Sequence, residues 1–309
     1  MRPKTVAELA ERYGLQRADV VGRWASFAAF SATYRAAREV LRTPEDLRRL
    51  VDEAVADAAA DGASWIEPST SVVSYARIAG GAQATVELLL DAAAAAAARH
   101  EVGVGLIITA NRENGVALAE DLARLAVRYR DDGVVGFGLA GDERYPPEPF
   151  ANAFAIAADA GLLRVPHAGE QAGPGSVWGA LDALRPNRIQ HGVRAVEDPQ
   201  LVDRLAEDRI CLDVCLSSNV ALGVVPTIGK HPLPELLAAG VPCSLNADGP
   251  LLFSTSLLGE YTAAREQLLL TDEQLAPVAR ASLEASRLPD TLRSHALRSI
   301  DAWLDGVGA

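Results

Sequence analysis

The runs GVVGFGLAG at residues 133–141 and LLRVPHAGE at 162–170 are two short apolar segments that each end in polar or small residues. Apolar side chains at successive positions are typical of a strand that is buried on both faces, as in a parallel sheet. The residues between the two runs have a helical composition and are numerous enough for the crossover that parallel strands require. This part of the chain therefore predicts a strand–helix–strand unit.

The same alternation of β-rich and helical segments extends in both directions. Five further β-rich runs are SWIEP at 64–68, VGVGLIIT at 102–109, NRIQHG at 187–192, RICLDVCLSSN at 209–219 and VPCSLNADG at 241–249. The runs make seven predicted strands. No linker rich in proline and serine interrupts the series, so we expect a single α/β domain over residues 1–309.

The N-terminal residues 1–61 predict helices. The clearest helix covers 43–61, where Thr43 can cap, Pro44 fits the first turn and Asp46 completes a capping box. The seven alanines at 92–98 also predict a helix, because alanine has the highest helix propensity.

Two α/β architectures are compatible with this alternation: an open doubly wound sheet and a (β/α)8 TIM-type barrel. A dinucleotide-binding doubly wound sheet would carry a G-x-G-x-x-G motif after an early strand. The sequence has no such motif there. We therefore expect the barrel, with the first strand missing from this chain.

The charge balance argues against two classes of partner. The chain has 29 Lys and Arg against 41 Asp and Glu, a net charge of −12, so nucleic acid or an anionic membrane would be repelled. Its three cysteines are too few and too scattered for a disulfide framework. The first residues lack the apolar core of a signal peptide. We expect a cytoplasmic protein, and its oligomeric state stays open.

Polar side chains follow the predicted strands, where the loops of a barrel converge on one mouth. They are Glu67, Asp142, Glu143, His167, His191, residues 217–219 and Asp248. Histidine and aspartate are suitable zinc ligands, and a catalytic zinc takes about three protein ligands and one water. The other histidines have structural explanations, at helix ends or, for His231, in shaping a loop: His100, His231 and His295. This leaves His167, His191 and Asp248 as candidates for chemistry.

Five separated motifs carry a resemblance to a known family. They are GLAGDE at 138–143, PHAGE at 166–170, RIQHGVRAVEDP at 188–199, CLSSNVALGVV at 215–225 and HPLPELLAAGVPCSLNADGPLLFSTSLLGEY at 231–261. In this order and at similar intervals, they resemble the adenosine deaminase family of zinc-dependent amidohydrolase barrels. The resemblance spans nearly the whole chain.

The resemblance implies a hydrolase that deaminates adenosine or a related purine nucleoside and releases ammonia, with one zinc ion per chain. It implies that His167 and Asp248 are zinc ligands and that Glu170 protonates a ring nitrogen of the purine. His191 would flank the attacking water, and the backbone of Gly141 would contact the purine. The neighbouring acidic residues at 142 and 143 would have supporting roles.

Two departures from the family pattern lead to further expectations. The family places an H-x-H strand, with two more zinc ligands, before an R-P-x-T segment, whereas this chain begins Met1-Arg2-Pro3-Lys4-Thr5. We therefore expect an N-terminally truncated member whose zinc ligand set is incomplete in this form.

Gly249 occupies the position of a second aspartate that contacts the purine in the family. This difference leaves open a deaminase for a modified adenine nucleoside. The missing H-x-H strand leaves open a second alternative, a catalytically impaired protein that binds nucleosides.

Overall fold

The computed structural model describes residues 1–16 and 20–306 of the chain. The strands, in chain order, are β1 (Trp65–Ile66), β2 (Ser69–Thr70), β3 (Gly103–Val104), β4 (Leu106–Asn111), β5 (Val134–Ala140), β6 (Leu163–Ala168), β7 (Arg188–His191), β8 (Cys211–Val214) and β9 (Cys243–Leu245).

Helices precede the first strand and connect most of the later ones. In chain order they are α1 (Pro3–Arg12), α2 (Phe27–Arg38), α3 (Pro44–Ala60), α4 (Ala76–Ala79), α5 (Ala82–His100), α6 (Val116–Arg128), α7 (Ala151–Asp159), α8 (Pro174–Gly179), α9 (Pro199–Glu207), α10 (Leu216–Ala221), α11 (Leu233–Ala238), α12 (Pro250–Phe253), α13 (Leu257–Gln267), α14 (Asp272–Glu284) and α15 (Asp290–Leu304). Within the described residues, no helix combines the length and the apolar character that a bilayer crossing requires.

The main sheet has seven strands in the order β2-β4-β5-β6-β7-β8-β9. Every neighbouring pair is parallel, and the order never reverses. Because parallel crossovers are right-handed, a sequential order places all connecting helices on one face of the sheet. A doubly wound sheet would instead reverse its strand order. The predicted choice of a barrel-type α/β fold is confirmed.

Side-chain contacts across the interior show that the sheet is curled. In a flat sheet, four spacings of about 4.8 Å would hold β2 about 19 Å from β7. Yet Gln190 Nε2 on β7 lies 3.1 Å from Ser69 Oγ on β2. Near the start of β7, Arg188 lies 2.6 Å from Glu67 Oε2 and 2.8 Å from Asp213 Oδ2. These three charged side chains fill one end of the interior.

The first predicted strand is divided in the structure. Trp65 on β1 is paired with Gly103, and Ser69 on β2 is paired with Ile107, so both pairs keep the same residue offset. The interruption between them contains Pro68, which has no N–H to donate to a ladder. β2, which the sequence analysis did not predict, thus continues the line of β1 and joins the main sheet.

The helical predictions for the N-terminal part are confirmed. α3 begins with the expected capping box, in which Asp46 N–H donates to Thr43 Oγ1 at 3.2 Å and Thr43 N–H donates to Asp46 Oδ2 at 2.9 Å. The alanine run lies inside α5, where Ala92, Ala93 and Ala96 are buried. Ala96 shares an apolar cluster with Val55 of α3, where its small side chain lets the two helices pack together.

Candidate active site

The loops after β6, β7 and β9 bring together side chains that are distant in sequence. One potential ligand atom from each of Glu170, His191 and Asp248 lies within 4.8 Å of the other two. The ring of His167 lies beside this group, with its centroid 5.3 Å from that of His191. Three of the four side chains expected to share one site therefore meet at the carboxyl ends of the strands, and the fourth, His167, lies beside His191.

Two acidic residues that also follow predicted strands lie outside this group. Glu67 is turned into the barrel interior, where it pairs with Arg188 and accepts a hydrogen bond from the backbone N–H of Arg287. Asp142 binds the guanidinium of the exposed Arg144 through both of its oxygens. The expectation that Glu67 lies at the mouth is wrong, because its strand continues beyond Pro68 as β2.

The backbone of the site adopts conformations that most residues avoid. His191 has φ of 66° and Asp248 has φ of 51°, both in the left-handed region, which costs about 1–3 kcal/mol at a residue other than glycine. Gly192 donates its N–H to the carbonyl of Ala168 at 2.9 Å. A Cβ at Gly169 would lie 3.3 Å from the Cα of Gly192. The two loops therefore touch backbone to backbone, which requires glycine.

A buried carboxylate holds the loop after β6. Glu143 accepts hydrogen bonds from the backbone N–H groups of Gly169 at 2.9 Å, Glu170 at 3.0 Å and Gln171 at 3.2 Å. Charge-assisted hydrogen bonds of this kind are stronger than neutral ones. Glu143 therefore determines where Glu170 stands, which is a supporting role.

Glu170 presents an unsatisfied carboxyl oxygen to the site. Its Oε1 is buried without a hydrogen-bond partner among the described residues and lies 3.7 Å from His191 Nε2. Burial is the main reason why the pKa of Glu170 rises to about 7, and the charges of Asp248 and Glu143 add to it while His191 opposes it. A substantial fraction of Glu170 is therefore protonated at neutral pH.

The ring of His167 is oriented by the neighbouring strand. Its Nδ1 lies 3.0 Å from the carbonyl oxygen of Leu139 on β5. A carbonyl can only accept, so Nδ1 carries the ring proton and Nε2 keeps its lone pair. Burial, followed by the charge of His191, lowers the pKa of His167 to about 3. A neutral imidazole with a free Nε2 is a form that binds zinc.

The ring of His191 has different neighbours. Its Nδ1 lies 3.3 Å from the amide Nδ2 of Asn219, and its Nε2 faces Glu170. Burial lowers the pKa of His191, but the charges of Glu170 and Asp248 outweigh burial, and the pKa is raised overall.

Gly141 follows β5 and has a structural reason to be glycine. Its φ is +100°, and a Cβ there would lie 2.8 Å from Asn111 Oδ1. Its contact with a purine stays a prediction.

Two residues named in the sequence analysis lie behind His191, a position that was not predicted for either of them. Asn219 and His231 are both buried, and His231 Nε2 lies 3.1 Å from Asn219 Oδ1. His231 does hold its loop, as expected, by accepting the backbone N–H of Leu233. The available signal was that Asn219 comes shortly after β8 and that both residues lie within the family motifs.

Comparisons with known proteins identify the family of the chain. The family model described as adenosine deaminase matches residues 1–303. A relative from Streptomyces virginiae, named provisionally as an adenosine/adenine deaminase, is 46% identical over 99% of this chain and 94% of its own length. An aminodeoxyfutalosine deaminase from Streptomyces coelicolor is 37% identical over 98% of this chain and 82% of its own length.

A solved structure extends the comparison to three dimensions. The crystal structure of an adenine deaminase from Arthrobacter aurescens superposes with a TM-score of 0.91 and is 27% identical, covering 98% of this chain and 95% of that one. The fold is therefore a barrel of the adenosine deaminase type. The chain belongs to the adenosine deaminase family, a family of hydrolases that act on C–N bonds.

Proposed function

We propose that this chain hydrolytically deaminates adenosine or a related purine nucleoside. The observation that carries the proposal is Glu170, a buried carboxyl group whose Oε1 has no hydrogen-bond partner in the described part of the chain and faces His191. Replacing an aromatic amine by water pushes electron density onto the adjacent ring nitrogen, which needs a proton. A carboxyl group that still holds its proton at neutral pH is suited to supply it.

The chain's own residues divide the remaining tasks. Glu143 holds the backbone of the loop that carries Glu170, so that the carboxyl group needs little rearrangement during the reaction. His191 Nε2 lies beside the same carboxyl group. From there it orients the attacking water toward the ring carbon that bears the amine.

His167 and Asp248 would hold a divalent cation such as zinc as part of its donor set, since a catalytic zinc takes about three protein ligands. His167 offers a neutral Nε2, and Asp248 offers a carboxylate at the mouth. If distance were the only criterion, the metal ligands would be His191, Glu170 and Asp248. His167, however, is the histidine whose Nε2 lone pair is free to bind a metal ion. We therefore assign His167 and Asp248 as metal ligands. The chemistry that zinc supplies when bound is a lowered pKa, about 7, for a coordinated water.

The identity of the substrate depends on the surroundings of Asp248. Gly249 has φ of −112°, and a Cβ there would meet Phe253 at 3.5 Å and Leu252 at 3.6 Å, which is ordinary contact. Neither backbone nor packing requires glycine at this position. The missing carboxylate therefore favours a second candidate, a modified adenine nucleoside such as the one that the Streptomyces coelicolor relative is named for.

Ammonia release by the zinc-loaded chain tests the proposal, with adenosine, adenine and aminodeoxyfutalosine as substrates. We expect turnover of at least one of them, and we expect Glu170→Gln to lower kcat by about 10²- to 10⁴-fold with its metal content unchanged. Gly249→Asp is the matched variant for specificity and should change the ratio of rates between substrates. Full activity of Glu170→Gln would remove the proton donor, and no turnover with metal bound would favour the impaired alternative.

A further inference from the structure

A chain of hydrogen bonds runs from the backbone of α11 to the catalytic histidine. The N–H of Leu233 donates to His231 Nδ1 at 3.1 Å, His231 Nε2 lies 3.1 Å from Asn219 Oδ1, and Asn219 Nδ2 lies 3.3 Å from His191 Nδ1. The exposed fractions of Asn219, His231 and His191 are 0%, 4% and 3%. These side chains must therefore satisfy one another rather than water.

The direction of each hydrogen bond follows from its fixed end. A backbone N–H can only donate, so Nδ1 of His231 must accept, and a neutral His231 then carries its proton on Nε2. Burial lowers the pKa of His231 to about 3, and the charge of His191 adds to the effect. His231 is therefore neutral at physiological pH and donates to Asn219.

The amide of Asn219 links the hydrogen bond from His231 to the one at His191. Its oxygen accepts from His231, so its NH₂ group points at His191 Nδ1, which must accept. The opposite orientation of the amide would place its NH₂ against the N–H of His231 and leave buried donors without acceptors. The single proton of a neutral His191 consequently lies on Nε2, which faces Glu170.

We propose that Asn219 and His231 are positioning residues that hold His191 in the tautomer with its proton on Nε2. His191 then offers an N–H donor to the reacting centre and has no lone pair there for a metal ion. The catalytic use of this N–H rests on the proposed function. The tautomer itself depends only on the hydrogen bonds of the folded chain.

Nitrogen NMR of this chain, labelled with ¹⁵N-histidine, tests the tautomer directly. With zinc bound, and at a pH above the raised pKa of His191 so that the ring is neutral, we expect Nε2 of His191 to show the protonated signal and Nδ1 the unprotonated one. The chain has five histidines, so His191→Gln identifies the signals. His295→Gln, at an exposed position on α15, is the control that should leave them unchanged.

Asn219→Asp replaces the NH₂ donor that faces Nδ1 of His191 with a carboxylate oxygen, which can only accept a hydrogen bond. We expect the proton to appear on Nδ1 of His191, and kcat to fall by about 10- to 100-fold while KM stays within about twofold. A purely structural role would not move the proton between ring nitrogens. His231→Gln retains an N–H donor toward Asn219 and should preserve the wild-type tautomer, whereas His231→Leu should lose it.

A proton on Nδ1 of His191 in the wild type would overturn the proposal, as would unchanged ring signals in Asn219→Asp. Should that variant not fold, unchanged signals in His231→Leu would overturn it equally. These signals do not depend on turnover. Absence of ammonia release together with the expected tautomer would contradict the proposed function and support the positioning role.

Discussion

The ends of β6 and β7 carry the same residue type in opposite hydrogen-bonding states. His167 and His191 lie on neighbouring strands with ring centroids 5.3 Å apart. Nδ1 of His167 donates to a backbone carbonyl, whereas Nδ1 of His191 faces the NH₂ group of Asn219. The partner at Nδ1 decides whether Nε2 offers a lone pair or a proton. Identical side chains in one site thus acquire different chemistry from the groups behind them.

The largest expected effect, on metal binding and turnover, comes from substituting His167 and His191 one at a time. His167→Ala should lose both bound metal and turnover, because it removes a lone pair assigned to the ion. His191→Gln should keep its metal and lower kcat by about 10²- to 10⁴-fold. Elemental analysis and ammonia release of the two purified variants measure both properties. If His167→Ala retained its metal and His191→Gln lost it, the metal ligand would be His191 and the assignment of the two histidines would be reversed.

A smaller effect is expected from the carboxylate that holds the loop after β6. Glu143→Gln places an amide where three backbone N–H groups converge, so at least one donor loses its acceptor. We expect a loss of about 1–3 kcal/mol in the free energy of unfolding and a lower kcat, measured by urea denaturation and ammonia release.

Asp142→Asn is the matched control for this variant. Asp142 is buried and accepts one backbone N–H, that of Arg144, whose guanidinium is exposed. Asn keeps an oxygen for that N–H, so mainly the ion pair with the exposed guanidinium is lost, which contributes about 1 kcal/mol or less. Equal destabilisation by the two variants would show that Glu143 has no special role in holding the loop.

The smallest expected effect is on the pH dependence of stability. The pKa of His231 is about 3 in the folded chain and returns to about 6.5 on unfolding. The unfolded chain therefore binds more protons between these values, so this stability is present above about pH 6.5 and is lost as the pH falls. The slope is about 1.4 kcal/mol per pH unit.

His231→Gln isolates that contribution. Urea denaturation between pH 6.5 and 5 should show a shallower loss of stability for the variant than for the wild type. Parallel curves would mean that the pKa of His231 is the same in the folded and unfolded chain. His231 would then carry a proton on Nδ1 at low pH and could not accept the N–H of Leu233, the fixed end from which the hydrogen-bond directions were inferred.

The strand positions and the meeting of Glu170, His191 and Asp248, with His167 beside His191, could be predicted from the sequence. Apolar runs locate strands, and parallel strands deliver their following residues to one edge. The family motifs added roles to particular residues. These features depend on local pattern and on strand order, both of which are visible along the chain.

The tautomers and the location of Glu67 could not be predicted in this way. The proton on His167 depends on a carbonyl of β5, and the state of His191 depends on His231, which lies 12 residues beyond Asn219. Glu67 follows an apolar run, yet Pro68 only interrupts the strand there. Each outcome depends on which group from another element fills the neighbouring space.

The left-handed backbone at His191 and Asp248 makes thermal stability and catalytic activity favour different residues at these two positions. Glycine adopts these angles without steric cost, and asparagine tolerates them better than most residues. A library selected for survival at high temperature alone should drift toward those two residue types at both positions, since each replacement relaxes a strained peptide. The most thermostable variants would then lack the imidazole of His191 and the carboxylate of Asp248. A selection for stability must therefore measure activity in the same round.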